Sequence, residues 1–338
     1  MGHRTLNSIL FAAALTFVAV SCEKEEETTT LPYLNGVLTV NVPEYVNIGQ
    51  TITLTAKGLE HPDGEEIGYR WKVTPTMSQY DTTDVFSFTF TDKLQTCTIY
   101  CYGFADGYNS SSASYSSTVV KGGPEGSIQG TDMATFPVYE YKGISYHYMT
   151  SGDLQWFMTN LADGDAGGAP YKSYEAMSNV FGRYYSYEEA LKACPQGWRL
   201  PTEEDWMALA GEFGAATEDK YQSIKGVASK LMANAYFNGN LMWEYWPAVG
   251  EITNSSNLSL IPSGYANLGT VNEEGVYTYA SFDGINRFAA VWTADIVEEE
   301  ADMAYYRYLI VDQPDLLVGK GDRQSFGAAV RCVRDTSL

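Results

Sequence analysis

The sequence has 338 residues and a formal net charge of −21 at pH 7, with 42 acidic against 21 basic side chains. Its length favours two domains, and 45% hydrophobic residues are sufficient for packed cores. The negative charge repels phosphate groups, so nucleic acid and anionic membrane surfaces are excluded as expected partners.

The amino terminus has the pattern of an export signal. An apolar run from Leu6 to Ser21 follows His3 and Arg4, and it is too short to span a bilayer as a stable helix. Residues 1–21 are therefore predicted to be a signal peptide. The segment Ala19–Cys22 resembles a lipobox, which implies a lipoprotein anchored through acyl chains on Cys22. A plain secreted protein with an incidental cysteine is the alternative.

Residues 22–34 are predicted to be an acidic tether, because their charges and hydroxyl groups cannot build a core. The run Glu23–Glu26 also resembles an export signal of Gram-negative surface lipoproteins. The expected location is the outer membrane, with the protein lipid-anchored and facing the exterior. The alternative is a simple spacer on a protein that faces the periplasm.

Residues 35–121 show alternating apolar residues, which predict short strands with one buried face. Trp71 is expected in the core, and Asp106-Gly107 is a turn signal between the last two strands. The pattern resembles an immunoglobulin-like or polycystic-kidney-disease-type sandwich of about seven strands. The alternating runs are Leu38–Val42, Ile52–Ala56 and Phe86–Phe90.

Cys97 and Cys101 lie on one face of a predicted strand, Thr96–Phe104. On a straight strand their Cα atoms would be about 13 Å apart, beyond the roughly 7 Å limit for a disulfide. Buried free thiols are therefore expected. Residues 122–132 are predicted to be a linker, because they are rich in glycine. The second domain is predicted to follow at 133–338.

Two helix starts follow one another in the second domain. Ser186–Glu189 and Thr202–Asp205 each have the spacing of a capping box, and Pro195 and Gly197 end the first helix. The predicted apolar stripes are Tyr187, Ala190, Leu191 and Cys194 in the first helix, and Trp206, Leu209, Ala210 and Phe213 in the second.

The stretch Cys194–Trp206, CPQGWRLPTEEDW, resembles the Cys-Pro-x-Gly-Trp-x-Leu-Pro-Thr-x-x-x-Trp signature of the Fibrobacter succinogenes major paralogous domain, a family of bacterial secreted and surface domains. The resemblance implies an α+β fold similar to C-type lectins and formylglycine-generating enzymes, which hosts both binders and enzymes. It spans roughly Thr135 to Asp335. Further matching segments are Gly182–Tyr187, Ala228–Leu231, Ile261–Tyr265, Val291–Asp295, Tyr305–Leu309 and Gly327–Asp335.

The resemblance also supports a disulfide between Cys194 and Cys332, the latter on a predicted terminal strand, Ala329–Arg334. An exported protein meets an oxidising compartment, and closing so long a loop would stabilise the fold by up to ~5 kcal/mol. Two cysteines that merely pack in the core are the alternative.

The sequence offers few residues for catalysis. Only His61 and His147 remain after signal cleavage, and they lie in different domains. The chain therefore has too few histidines for a histidine-ligated metal site or a serine triad. The carboxylates of Glu203–Asp205 are expected simply to favour the start of a helix. We therefore predict no enzyme, cofactor or metal; an enzyme would need a cleft that gathers acids such as Asp295 or Glu244.

Calcium binding is an alternative that the spacing does not favour. Asp163-Gly-Asp165 and Glu298–Asp302 offer oxygen ligands without a recognisable loop pattern. Gln313-Pro-Asp315 copies a lectin tripeptide but is expected to form a turn.

Aromatic residues in loop-like segments are the candidates for ligand contact, because sugars stack their C–H faces on such rings. Trp198, Trp206 and Trp292 are assigned to the core, whereas core and surface remain open for the cluster around Trp243. The expected function is a non-catalytic surface protein that adheres to a glycan or protein ligand. The alternative is a subunit of a fimbrial or nutrient-uptake assembly. The candidate residues are Trp243, Tyr245, Trp246, Tyr265, Tyr305 and Tyr306, with Tyr308 beside them.

Overall fold

The computed structural model describes residues 30–75, 78–91, 96–121, 128–215, 217–244, 248–274, 277–278 and 280–336. The predicted signal peptide, the lipidation site at Cys22 and the acidic run before Thr30 lie outside these residues. Over the described ranges the chain is predominantly β-sheet with few helices. The helices found there are all too short or too polar to cross a membrane.

Two sheets that share one core form the first unit. One has the strand order β1-β3-β6 and the other β2-β8-β7-β4-β5. The ring of Trp71, on the second sheet, stacks on Phe86 of the first with centroids 5.2 Å apart. The strands are β1 Asn35–Val40, β2 Tyr45–Asn47, β3 Thr51–Glu60, β4 Gly68–Thr74, β5 Ser78–Thr82, β6 Val85–Thr89, β7 Thr96–Phe104 and β8 Ser111–Val120.

Strand β7 has the predicted bounds, and its residues alternate between buried and more exposed positions. Cys97 and Cys101 are both buried and both free. The turn before β8 contains Gly107 at φ +79°, a conformation that glycine adopts without strain. Period-two alternation was therefore sufficient to predict the bounds and the buried face of β7.

The second unit is built on a six-stranded sheet of order β18-β17-β19-β20-β21, with β22 paired to β17. A four-stranded sheet, β10-β11-β12-β23, and two smaller sheets complete it. Its strands are β9 Ile128–Gln129, β10 Val138–Tyr141, β11 Ile144–Ser151, β12 Leu154–Phe157, β13 Ala169–Pro170, β14 Arg183–Tyr184, β15 Tyr236–Phe237, β16 Asn240–Leu241, β17 Ser263–Asn267, β18 Ser281–Ile285, β19 Phe288–Ile296, β20 Met303–Ile310, β21 Leu317–Asp322, β22 Phe326–Gly327 and β23 Val333–Asp335.

The predicted linker is already part of the second unit where it is described. Strand β9, within residues 122–132, pairs with β15, and Gln129 lies opposite Tyr236. The first unit also touches the second directly. Tyr45 on β2 packs against Tyr174 with ring centroids 5.5 Å apart, and Glu44 accepts a hydrogen bond of 2.8 Å from Lys172 Nζ.

Both predicted capping boxes are present, at Ser186 before α2 and at Thr202 before α3. The predicted stripe of α2 was wrong at Leu191, which is 43% exposed. The buried residues of this short helix include Ala190 and Ala193, so its packed edge follows a spacing of three and leaves Leu191 outside. The helices are α1 Ser178–Phe181, α2 Tyr187–Ala193, α3 Glu203–Glu212 and α4 Ala228–Leu231, with 3₁₀ turns at Gly164–Ala166, Tyr171–Ser173 and Glu175–Met177.

A disulfide joins Cys194, directly after α2, to Cys332, with Cα atoms 5.7 Å apart. The backbone N–H of Phe157 donates to the carbonyl of Cys332 at 3.0 Å, and β23 then pairs with β12. The terminal strand begins at Val333 rather than at the predicted Ala329. The end of the chain is thus fastened between α2 and the four-stranded sheet.

Candidate functional site

Trp243 is a core residue. Its side chain is fully buried and belongs to the same hydrophobic cluster as Trp156, Trp206 and Leu231. A ring with no exposed surface cannot stack on a ligand, so its selection as a binding candidate is corrected. Tyr245 and Trp246 lie outside the described residues.

Tyr305 and Tyr306 face opposite sides of the large sheet, because neighbouring residues on a strand alternate in direction. Tyr305 stacks on Tyr221, with centroids 4.0 Å apart and planes within 10°. Tyr306 lies on the side of Trp292, at 6.1 Å. The two adjacent candidates therefore cannot act on one ligand surface.

Tyr265 and Tyr306 are brought together by three further rings. Phe326 lies 5.5 Å from Tyr265 and 4.6 Å from Tyr306, while Phe288 lies 5.4 Å from Tyr265 and 4.6 Å from Tyr308. The ring of Tyr308 lies 5.6 Å from that of Tyr306, so the five rings form a closed circuit of contacts. We call these five half-buried rings the aromatic face: Tyr265, Phe288, Tyr306, Tyr308 and Phe326.

Sequence reasoning missed Phe288 and Phe326. Phe326 lies on a two-residue strand beside β17, and only the tertiary pairing of Phe326 with Asn267 brings it near Tyr265. The spacing of Tyr306 and Tyr308, two residues apart on one strand, was a usable signal that both lie on one face.

Glycines on the neighbouring strand make room for the rings. Gly319 pairs with Tyr306 across β20 and β21, and a Cβ atom there would lie 2.3 Å from the Tyr306 ring. At Gly321 a Cβ atom would lie 2.5 Å from the Phe326 ring and 3.0 Å from Trp292. The rings can lie close to the sheet only because β21 carries no side chains at these positions.

The polar atoms of the aromatic face are its phenol hydroxyls, and the exposed carboxylate of Asp283 lies beside them. The Tyr265 hydroxyl donates to Asp283 Oδ2 at 3.3 Å. Burial, and then the Asp283 charge, raises the pKa of Tyr265, and burial raises the pKa of Tyr306 to about 12. The phenols are therefore neutral at physiological pH and can both donate and accept hydrogen bonds.

Three carboxylates considered from the sequence, one at a helix start and two for a catalytic cleft, have specific partners in the structure. Glu203 forms a fully buried ion pair with Arg307, which corrects its assignment to the helix dipole alone. Asp295 accepts from the Glu203 backbone N–H at 2.8 Å and from the Tyr221 hydroxyl at 3.1 Å. Glu244 lies 3.8 Å from Arg287 Nε.

Asp163 and Asp165, considered as calcium ligands, and Asp315 of the lectin-like tripeptide all pair with lysine side chains. Lys142 Nζ lies 2.9 Å from Asp163 Oδ2 and 3.0 Å from Asp165 Oδ2, so an ammonium group stands where a cation would bind. Asp315 accepts from Lys225 Nζ at 2.8 Å and from the Gly226 N–H at 2.9 Å. Among the residues with described positions, no three His, Cys, Asp or Glu side chains are grouped to hold a metal ion.

Comparison with known protein families gives one match. Residues 141–334 fit the sequence model of the Fibrobacter succinogenes major domain. The matched range is more than half of the chain and contains α2, α3, the disulfide and the whole aromatic face. No curated protein matches the chain.

Proposed function

From the premise that the chain belongs to the Fibrobacter succinogenes major domain family, we propose that it is a non-catalytic surface lipoprotein whose aromatic face binds a glycan. The family alone does not define an activity, since one scaffold can carry many sites. The proposal therefore depends on the site itself.

The observation that carries the proposal is the closed circuit of five aromatic rings that includes Tyr306 and Tyr265. Pyranose rings present apolar C–H faces that stack on aromatic side chains, and their hydroxyl groups need hydrogen-bonding partners nearby. The phenols and the exposed carboxylate of Asp283 offer such partners. The five rings are only half-buried, so part of their surface remains open to a ligand.

The remaining features fit a tethered recognition protein. We propose that the first unit is an immunoglobulin-like or polycystic-kidney-disease-type spacer and that the second has a C-type-lectin-like fold. The two sheets around Trp71 and the disulfide-fastened second unit support these assignments. We further propose acylation at Cys22 and an outer-membrane location facing the exterior, both from the amino-terminal sequence.

The test uses the intact mature protein on a glycan array, followed by calorimetry with any glycan that binds. Tyr306→Ala and Tyr265→Ala should each weaken binding by about ten-fold or more, because each removes a stacking ring. Tyr305→Ala is the matched control, since it changes the same residue type on the same strand but on the opposite face. Its affinity should stay at the wild-type value.

An array that is blank with and without calcium would refute glycan binding. An equal loss in Tyr305→Ala and Tyr306→Ala would remove the aromatic face as the site. If a surface protein binds instead, with the same dependence on Tyr306, the ligand class changes and the site stands.

A second candidate function is a subunit of a fimbrial or nutrient-uptake assembly. The contact of Tyr45 with Tyr174 favours it, because a first unit packed on the second could present both to a partner. Native membranes solubilised in mild detergent should then yield a larger complex, whereas recovery of monomer alone would argue against it.

A further inference from the structure

A recess of about 120 Å³ lies in the second unit, beside α1 and close to the end of the first unit. Lys121 and Asn179, both exposed, are at its edge, whereas Arg331 and Ser178 are buried among its lining residues. None of its lining residues belongs to the aromatic face.

Arg331 carries a fully buried positive charge without a carboxylate partner among the described residues. Its Nε donates to Asn160 Oδ1 at 2.7 Å, its Nη1 to the carbonyls of Phe157 and Leu258 at 3.1 and 2.6 Å, and its Nη2 to the carbonyl of Ser259 at 3.0 Å. A guanidinium group has five N–H donors, so one on Nη2 remains for another acceptor. Burial lowers the pKa of Arg331 to about 9.

The hydrogen bonds of Arg331 fix the position of its side chain but do not neutralise its charge. Its acceptors are three backbone carbonyls and one amide, all neutral, and burying an unpaired charge is expensive. The other fully buried arginine of this unit, Arg307, is paired with the carboxylate of Glu203. No carboxylate among the described residues balances the charge on Arg331, so an anion bound in the recess would do so.

Ser178 provides an independent observation. Its hydroxyl oxygen is buried and lacks a hydrogen-bond partner within the described part of the chain, although the residue lines the recess. A buried hydroxyl without a partner costs free energy, so its presence in the lining requires an explanation. Ser178 and Arg331 are both among the lining residues of the recess.

The lining has the composition of a site for a small organic anion. It contains Lys121 and His147 in addition to Arg331, and no Asp or Glu is present among its described residues, although the chain carries 42 acidic side chains. Apolar walls are provided by Val180 and Ile261, both buried. The recess is too small for an oligosaccharide but large enough for a compact molecule.

We propose that this recess binds a small carboxylic acid, with its carboxylate at Arg331 and Ser178 and its apolar body against Val180 and Ile261. Guanidinium and hydroxyl donors form charge-assisted hydrogen bonds with carboxylate oxygens. The apolar walls favour a carboxylate with a short hydrocarbon part over inorganic phosphate or sulfate, which have none.

The test is calorimetric titration of the intact mature protein with acetate, butyrate and benzoate, with their amides as neutral counterparts, and with inorganic phosphate and sulfate. At least one carboxylate should bind at a single site, and its amide should bind at least about ten-fold more weakly. Arg331→Lys should weaken binding of the carboxylate by about ten-fold or more. Arg287→Lys changes an exposed arginine of the same unit and should leave the affinity unchanged.

Ser178→Val keeps the test decisive if Arg331→Lys fails to fold, because it removes an unpaired hydroxyl and fills part of the recess without breaking a bond. It should weaken carboxylate binding by about ten-fold or more and preserve the thermal unfolding midpoint. The proposal is overturned if no carboxylate binds, if only phosphate or sulfate binds, or if a correctly folded Ser178→Val protein binds the carboxylate as tightly as the wild type.

Discussion

Glu203 and Arg307 form an ion pair in which both side chains are fully buried. Arg307 Nε donates to Glu203 Oε2 at 3.0 Å, and Nη1 donates to the carbonyl of Gln222 at 2.8 Å. Glu203 is the first residue of α3 and Arg307 lies in the middle of β20. The pair therefore fastens α3 to the centre of the large sheet.

Breaking this pair from either side should be strongly destabilising. Glu203→Gln or Arg307→Met leaves one buried charge uncompensated, and we expect a loss of about 3–5 kcal/mol in the free energy of unfolding. Glu204→Gln is the control, because Glu204 pairs with Lys220 at the surface and should cost less than about 1 kcal/mol. Urea unfolding checks both, and equal losses at positions 203 and 204 would contradict the structural role of the buried pair.

Local signals were enough to predict the starts of α2 and α3. Each capping box needs only residues three apart, and both are present at Ser186 and Thr202. Arg307, the partner of Glu203, lies 104 residues away in the sequence. Helix and strand periodicity relate only neighbouring residues, so they could not predict this pair. Only part of the aromatic face could be predicted from the sequence. Tyr306 was a candidate, whereas Phe326 joins the face through the pairing of a two-residue strand.

Burial decided where the remaining candidates lie. Aromatic composition could not distinguish Trp243, which fills the core, from Tyr265, which is half-buried beside Asp283. Both are aromatic residues in segments that read as loops. The sequence alone does not distinguish Arg331, because it stands in a family motif, and only the structure shows that it is fully buried without a carboxylate partner among the described residues.

Loss of the Cys194–Cys332 bond should destabilise the second unit selectively. The bond closes a loop with a sequence separation of 138, for which the chain-entropy model gives about 5 kcal/mol. A Cys194→Ala, Cys332→Ala double variant should show this loss in urea unfolding, and dithiothreitol should reproduce it in the wild type. Dithiothreitol should not affect the double variant, because Cys97 and Cys101 are free. Mass spectrometry of non-reduced wild type that found residues 194 and 332 as free thiols would contradict the bridge.

Adding one methyl group at Gly319 should disrupt the aromatic face. The Cβ atom of Gly319→Ala would lie 2.3 Å from the Tyr306 ring, so the ring must move. We expect a loss of about 1–3 kcal/mol in stability and a parallel loss of glycan binding. Gly211→Ala is the control, because a Cβ atom there meets nothing within 4 Å and alanine favours a helix. If Gly319→Ala leaves both the unfolding midpoint and the tyrosine circular dichroism unchanged, the close packing of this ring is wrong.

Calcium should have no effect on the wild-type protein. Hydrogen bonds to Asp163 and Asp165 raise the pKa of Lys142, so the ammonium group remains between these carboxylates at physiological pH. Neither millimolar calcium nor a chelator should change the thermal unfolding midpoint. Lys142→Met removes the ammonium and leaves two carboxylates together, so a calcium-dependent rise of the midpoint is expected in this variant alone. A rise in the wild type would show that calcium binds elsewhere or displaces Lys142.

The buried thiols of the first unit should make its stability fall at alkaline pH. Burial raises the pKa of Cys97 to about 11 and that of Cys101 to about 12, from an ordinary value of 9.0. The folded state favours the neutral thiol, so this contribution to stability is complete below about pH 9 and is lost as the pH rises from there towards 11 and 12. The unfolding free energy should therefore decrease between pH 8 and pH 10.5, and a Cys97→Val, Cys101→Val variant should show a smaller decrease.

In the native wild type at pH 8 neither thiol should react with iodoacetamide, whereas both should react in urea. Equal pH dependence in the two proteins, or rapid alkylation of the folded wild type, would contradict the burial of these side chains.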